Sequence, residues 1–463
     1  MNPRHRQLSR LPGRRRDGSV LVIVMLIAFG LISLALYFAN SMSLELRAAA
    51  NRTAGLSADQ AVEGAARYVS YVLINYATNG TVPDRSWYQA DSVPVGSAQD
   101  ASDNAHFWLI GRDTSGQNSS LSEPYFGLVD EASKLNLNAP WITADVLSSN
   151  FPNLSYDFAQ AIIDWRDTNS TDSSLNYSQA GYMAKHAAFE TVDELRLVYG
   201  ASLETIFGDD VNRNGVLDPN ENSSSGSSFS NPGLVDYFTV YSCQPNVRSD
   251  GTSLTNVSDR ASLQALLELR LGSSRATQVI NRVFPNPGGP GQTNAPAAQV
   301  SFPSLLDFYL RSGMTSDEFG LVYPDLTVTN APYTVGRVNI NTAPAAVLAC
   351  LPGLNLDVAQ QLVSYRQSNA GNLTSIAWIV DALGTGSTEL AALAQGDYIT
   401  TQSFQFQADI AATGPFGRGY RRNRFIFDIS SGTPRVLFRQ DLSGLGWALG
   451  RSARETWVTR TTQ

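Results

Sequence analysis

Residues 210–221 read Asp-Val-Asn-Arg-Asn-Gly-Val-Leu-Asp-Pro-Asn-Glu. They match the calcium-loop pattern at every specified position: Asp, Asn and Asn at alternate residues, then Gly, then Glu after five more. The chemistry sets the spacing, because calcium takes about six to eight hard oxygen ligands. Asp210, Asn212 and Asn214 offer side-chain oxygens, and Gly215 permits the sharp turn. The carbonyl of Val216 follows, Asp218 binds directly or through water, and Glu221 offers both oxygens. An Asn- and Gly-rich surface turn has a similar composition, but the acid at the ninth position goes beyond it. A helix is expected over 192–199 before the loop and a Ser-rich tail, 222–230, after it. That predicts a structural calcium loop rather than an opening sensor. Asp164, Asp167 and Asp172 form a second acidic cluster, read as a solvated loop or another ion site.

Catalytic patterns are missing. The histidines, His5, His106 and His186, are scattered. No phosphate loop, serine nucleophile elbow or dinucleotide fingerprint is present. Asp193 and Glu194 form a carboxylate pair on an amphipathic helix, where a surface role suffices. Cys243 and Cys350 lack CxxC spacing; an oxidising compartment permits a disulfide between them, and their separation leaves it open. An anchored hydrolase is the outlying alternative.

The chain of 463 residues has room for two or three domains, and 43% hydrophobic residues allow a substantial core. Only 16% of residues are charged, a balance common in exported proteins. The formal net charge is −8, but residues 1–18, with six arginines against Asp17, carry +5, leaving 27 basic against 40 acidic residues, or −13. Such a body suits cations and not nucleic acid, whose phosphates require Lys and Arg.

Residues 19–39 form an uncharged apolar run. At 1.5 Å per residue it spans roughly 30 Å, a bilayer core. The arginines before it place residues 1–18 in the cytoplasm and the rest outside. A cleaved signal peptide needs a shorter apolar core and a small-x-small site; a single uncleaved anchor fits the length better. The junction Arg14-Arg15-Arg16-Asp17-Gly18-Ser19 resembles the leader of prepilins. That resemblance implies cleavage by prepilin peptidase between Gly18 and Ser19, with methylation of Ser19. Most pilins carry Glu at mature position five; here Ile23 stands there. Within the pseudopilins, the general secretion pathway protein K family typically lacks that Glu, as suits a tip subunit with none ahead of it. The helix is expected to continue to residue 76 with a small apolar face (Ala48, Ala61, Ala65, Val69), reaching roughly 85 Å in all.

Short aromatic strands are expected at 106–110, 125–129, 398–400, 404–408, 424–429 and 435–438, forming one half-exposed antiparallel sheet. Between them 139–395 reads as helical, with an internal repeat. Leu-Asn-Leu-Asn-Ala-Pro at 135–140 resembles Val-Asn-Ile-Asn-Thr-Ala-Pro at 338–344. Each precedes two helices, the second ending in Trp165-Arg166 or Tyr365-Arg366. A degenerate third copy runs over 256–283. The units resemble helix-hairpin-helix motifs, some of which bind DNA, but here the turns hold aspartate and no Lys or Arg.

With the segments at 161–168, 189–200 and 338–348, nearly the whole chain resembles the K pseudopilin, a minor subunit of the type II secretion pseudopilus. The resemblance implies an α+β fold: a pilin-like long N-terminal helix plus an antiparallel sheet, interrupted by a large all-α insert with helix-hairpin-helix-like repeats. The expected divisions are a leader (1–18), a transmembrane and spine helix (19–76), a sheet domain (77–138 and 396–463) and an inserted helical domain (139–395). It further implies structural calcium, an inner-membrane anchor with a periplasmic body, partners among the I and J minor pseudopilins through the N-terminal helix, and no nucleic acid. A minor pilin or adhesin of a type IV pilus and a membrane-anchored DNA-uptake protein are the alternatives. The role of 245–335 stays open.

Overall fold

The computed structural model describes residues 17–76, 80–83, 92–112, 123–151, 154–168, 175–219, 221, 232–248, 250–285 and 300–461. One helix, α1 (Asp17–Ile74), runs unbroken for 58 residues. Its two halves meet different surroundings. Val20, Ile23, Leu26, Phe29 and Phe38 are all more than half exposed, and this half is long and apolar enough to cross a membrane. From Ala54 onward, Ala58, Ala61, Val62, Ala65, Val69 and Leu73 are buried. Spacings of three and four keep them on one face. Val62, Val69 and Leu73 each contribute roughly 1.5–3 kcal/mol by leaving water.

That face packs on a six-stranded sheet ordered β1 (Val93–Val95), β2 (Ala105–Ile110), β12 (Gln405–Thr413), β13 (Arg421–Asp428) and β14 (Arg435–Asp441), with β3 (Val129–Asp130) also pairing β12. All these pairings are antiparallel. Phe406, Ala408, Ile410 and Ala412 of β12 meet α1 together with Phe425 and Phe427 of β13. The turn between β12 and β13 grips the helix at its exit. A side chain at Gly414 or Gly419 would strike the backbone of Ala54 and Gly55. Arg421 to Asp59 (2.9 Å) and Arg439 to Glu63 (2.6 Å) flank this contact; as exposed pairs they add little.

The centre of the sheet is not half exposed, whereas the edge strand β14 is. Every residue of β12 is buried, because the insert covers its polar face. The strand at 398–400 also departs from expectation. β11 (Ile399–Thr400) pairs in parallel with β10 (Val338–Asn339), outside the main sheet. Of the 125–129 segment only Val129 lies in a strand, β3, and the C-terminal region holds a helix, α10 (Gly450–Thr461).

The insert contains three repeats, the degenerate copy included. In each, a short strand ending in asparagine pairs in parallel with a strand ending in threonine. These are β4 (Leu135–Asn136) with β5 (Phe238–Thr239), β7 (Thr255–Asn256) with β8 (Leu326–Thr327), and β10 with β11. Each asparagine side chain accepts from the amide two residues on: Asn138, Ser258 and Asn341. Two helices follow: α2 (Ala144–Asn150) and α3 (Tyr156–Arg166), α5 (Arg260–Leu271) and α6 (Ser273–Val283), or α7 (Ala345–Leu348) and α8 (Leu356–Ser368). In two units the terminal arginine turns back to cap carbonyls. Arg166 donates to Ala139 (2.9 Å) and Ile142 (2.6 Å), and Arg366 to Ile340 (3.0 Å) and Ala343 (2.6 Å). All three units share one apolar core, so 245–335 is largely the middle repeat.

The cysteines are not bridged; both thiols are free. Cys243 lies on β6 (Cys243–Pro245), paired with β9 (Tyr333–Val335), whereas Cys350 follows α7 inside the insert core. Burial pushes Cys243 up to about 11 and Cys350 up to about 12, so both stay protonated and unreactive near neutrality.

Asp130 joins sheet to insert. Its Oδ2 accepts from Asn339 Nδ2 (3.1 Å), Thr342 Oγ1 (2.5 Å) and Ser403 Oγ (2.6 Å), and its Oδ1 from Ala132 N (2.8 Å). Burial pushes its carboxyl up to about 6 despite these donors. The folded value lies above the unfolded one, so the protonated form is favoured by folding. This contribution, on the order of 3 kcal/mol, is present below about pH 4 and lost as pH rises through 6. Urea midpoints of the wild type and Asp130→Asn, compared at pH 5 and 7, are expected to differ in pH slope, with the variant losing this acid-side gain.

Candidate functional site

The calcium-type loop follows a short helix, α4 (Leu203–Phe207), and not the expected 192–199 helix, which is a 3₁₀ turn over Val192–Leu197. Asp210 organises its first half: Oδ1 accepts from Asn214 N (3.0 Å) and Oδ2 from Gly215 N (2.6 Å). The side-chain carbonyls of Asn212 and Asn214 accept from Asn214 N and Val216 N. Gly215 has φ +89°, which favours glycine, and Arg213 adopts φ +57°. Glu221 closes the loop, taking Asn212 N on Oε1 (3.1 Å) and Asp218 N on Oε2 (2.9 Å). Asp210, Asn212, Asn214, Val216, Asp218 and Glu221 therefore lie together, and all but Asp218 and Glu221 are buried.

The donor set fits a hard cation: three carboxylates and two amide carbonyls, each carbonyl with a second lone pair beyond its turn hydrogen bond. Burial pushes the carboxyls of Asp210 and Glu221 up, against the pull of Arg112 on Asp210 and of backbone amides on Glu221. A divalent ion would reverse that penalty. One adjustment is required. The NH2 groups of Asn212 and Asn214 donate to Asp218 Oδ2 at 2.5 and 3.0 Å, so Asp218 must release them for the oxygens to close on an ion. Among the described residues no three His, Cys, Asp or Glu side chains converge as a ready-made metal cluster.

Two arginines, one on the sheet and one beside it, hold the loop by its backbone. Arg422 is wholly buried on β13; it makes a two-pronged pair with Asp409 (2.7 and 2.8 Å) and donates to the carbonyls of Asn212 and Arg213. Arg112, just beyond β2, donates to Arg213 O (3.0 Å) and pairs with Asp236 (3.1 Å). Asn212 Nδ2 also reaches Trp447 O (3.1 Å), ahead of α10. A cavity of about 980 Å³ separates Asp218 and Glu221 from Arg451 and Arg454 of α10. Sequence reasoning missed these anchors. Their signal was Asp409, Arg422 and Arg424 on strands otherwise alternating with apolar residues.

The other sequence-predicted positions lie apart from the loop. Gly18 and Ser19 stand in the first turn of α1, where few helical hydrogen bonds have formed and glycine weakens the helix; leader residues 1–16 lie outside the described residues. So do Asp172 of the second acidic cluster and the tail at 222–230. Asp164 is buried and accepts from Gln160. Glu194 caps its own turn and pairs with Lys185 (3.0 Å) and Trp165 Nε1 (3.2 Å).

Residues 334–394 match the model of the helix-hairpin-helix motif family, which covers the third repeat. No curated protein matches the chain. Among solved structures, the chain is similar to one in the crystal structure of the GspK–GspI–GspJ complex from the enterotoxigenic Escherichia coli Type 2 Secretion System. The two are 8% identical, 83% of this chain and 96% of that chain are covered, and the TM-score is 0.35.

In the matched hairpin, Gly353 (φ +82°) lies against Ala392 and Glu389 of α9 (Thr388–Leu393), where a side chain would clash with Ala392. The turn that would have to meet phosphate is thus packed on a helix bearing an acid. Arg366, at the far end of α8, is spent on backbone carbonyls.

Proposed function

We propose that this chain is a minor pseudopilin that assembles, without catalysis, at the tip of a type II secretion pseudopilus during export of folded proteins. The observation that carries the reading is α1. It is one continuous helix whose first half is apolar and exposed and whose second half is buried on a sheet. Its first turn holds the Gly18–Ser19 junction, behind an arginine-rich leader. Such a helix can leave a bilayer and enter a fibre without refolding. The anchor lies in the inner membrane and the body in the periplasm. Partners of the I and J minor pseudopilin types pack along residues 44–72, on the part of the helix the sheet leaves free. The bulky insert caps the tip and helps start assembly. Calcium bound by Asp210, Asn212, Asn214, Val216, Asp218 and Glu221 fixes the insert to the sheet.

Mass spectrometry of protein purified from its native membrane is expected to show a chain starting at methylated Ser19. A chain retaining residues 1–18 would sink the fibre reading and leave an anchored calcium-binding protein. The DNA-uptake reading is disfavoured by the covered hairpin turn and the −13 body.

A further inference from the structure

Between the polar face of the sheet and the insert lies a second cavity, of about 40 Å³. That is room for roughly two or three waters or one halide ion. Its walls include Phe238, Ile426 and Phe438, and three cations line it: Lys134, Arg213 and Arg424. Arg213 is 6% exposed and stacks on the Phe207 ring at 4.0 Å. Its closest carboxylate is Asp193, at 4.0 Å, which also takes Arg196 (3.8 Å) and Gln440 Nε2 (2.5 Å). Arg424 has one contact to Asp409 (3.2 Å), a carboxylate already engaged on both oxygens by Arg422, and its buried Nε has no partner. The other charged pair on the cavity, Lys134 with Glu131 (2.6 Å), is self-contained.

Buried charges require partners, and these two guanidiniums are under-supplied. Burial first, and then the field of Arg424, lower Arg213 to about 10, which still leaves it charged near neutrality. The Tyr241 hydroxyl, held above its usual range by burial and by Glu131 and Asp193, stays a donor on the same wall. Guanidinium is weakly hydrated and suits a weakly hydrated, monovalent counter-ion; the space is too small for sulfate or phosphate.

We infer that Arg213 and Arg424 hold a small monovalent anion, chloride in practice, at the junction of sheet and insert. The anion neutralises the side chain of the same residue whose carbonyl Arg112 and Arg422 grip. The site does not depend on how the chain functions.

Chloride-35 NMR on the full chain in detergent, at constant ionic strength set with gluconate, tests this. A saturable line broadening, displaced by bromide and reduced at least tenfold in Arg213→Met, is expected. Because Arg213→Met can disturb folding, Asp193→Asn provides an opposite-signed check. Removing the competing carboxylate while keeping an acceptor for Gln440 should tighten chloride binding several-fold. Broadening that does not saturate, or chloride affinity unmoved by Asp193→Asn, would mean that the cavity holds water alone and would overturn the assignment.

Discussion

Arg422→Met is expected to destabilise the folded chain by about 3–5 kcal/mol. The substitution strands Asp409, 1% exposed at its side chain, with only the 3.2 Å contact to Arg424. It also removes the donor to the carbonyls of Asn212 and Arg213. Burial acts to raise Asp409, but Arg422 and Arg424 outweigh it and hold the carboxyl below its ordinary range. A depressed carboxylate contributes stability above its unfolded pKa, near 4, and loses it as pH falls through the lower folded value. The wild type should therefore show this contribution fully at pH 7. Arg422→Lys should recover only part of the loss, since an ammonium cannot reproduce the two-pronged pair. The double variant Arg422→Met, Asp409→Leu should be more stable than Arg422→Met alone, because it removes the stranded charge. Urea unfolding of all four proteins decides the matter. A single variant within 1 kcal/mol of wild type, an order-of-magnitude threshold for a meaningful buried contact, would mean that the sheet and insert are held by something else.

Calcium is the second large effect. At about a hundredfold excess over its dissociation constant, a ligand that binds only the folded state adds about 2.7 kcal/mol. For a chain of this size that is a rise of roughly 3 °C in thermal midpoint, reversed by a chelator. Glu221→Gln, which removes a charge and one ligating oxygen, should weaken binding at least tenfold, about 1.4 kcal/mol or more. Acidification should weaken it too. Burial pushes Asp210 and Glu221 up, so protons compete at a higher pH than for exposed carboxylates. Differential scanning fluorimetry with calcium and with chelator, at pH 5.5 and 7.5, reads both effects. An unchanged midpoint at pH 7.5 would remove calcium from the account.

The features legible in the sequence were those with local causes. The loop at 210–221 and the repeats at 135 and 338 are each written within a few dozen residues, and α1 is written in continuous hydrophobicity and small-residue spacing. What escaped was set by packing between distant segments. Nothing near Asp409 reveals that its strand is covered on both faces; the alternation there is the same for water or for a polar protein surface outside. The strands at 238–239 and 326–327 are too short for periodicity to register, and only the pairing of β5 and β8 with their asparagine-ended partners gives them meaning. Cys243 and Cys350 could be judged only once their separate surroundings were known.

The sheet also imposes an order in time. Its central strand is β12, whose Ile410 sits opposite Leu109 of β2. About 300 residues of chain separate them, and closing so long a loop costs entropy that grows with its length. On emerging through a membrane, β1 and β2 pair with each other, but the inner edge of β2 has no partner until β12 follows. The insert, with its own core and three locally closed repeats, has no such wait. Once folded, it draws β3 and β12 together and shortens the effective loop to a few residues. The insert can thus close before the sheet does, and the buried half of α1 gains its full platform only once β12 and β13 are made. Until then the small-residue stripe from Ala58 to Leu73 is only partly covered, a sticky surface whose lifetime is set by how fast about the last eighth of the chain arrives.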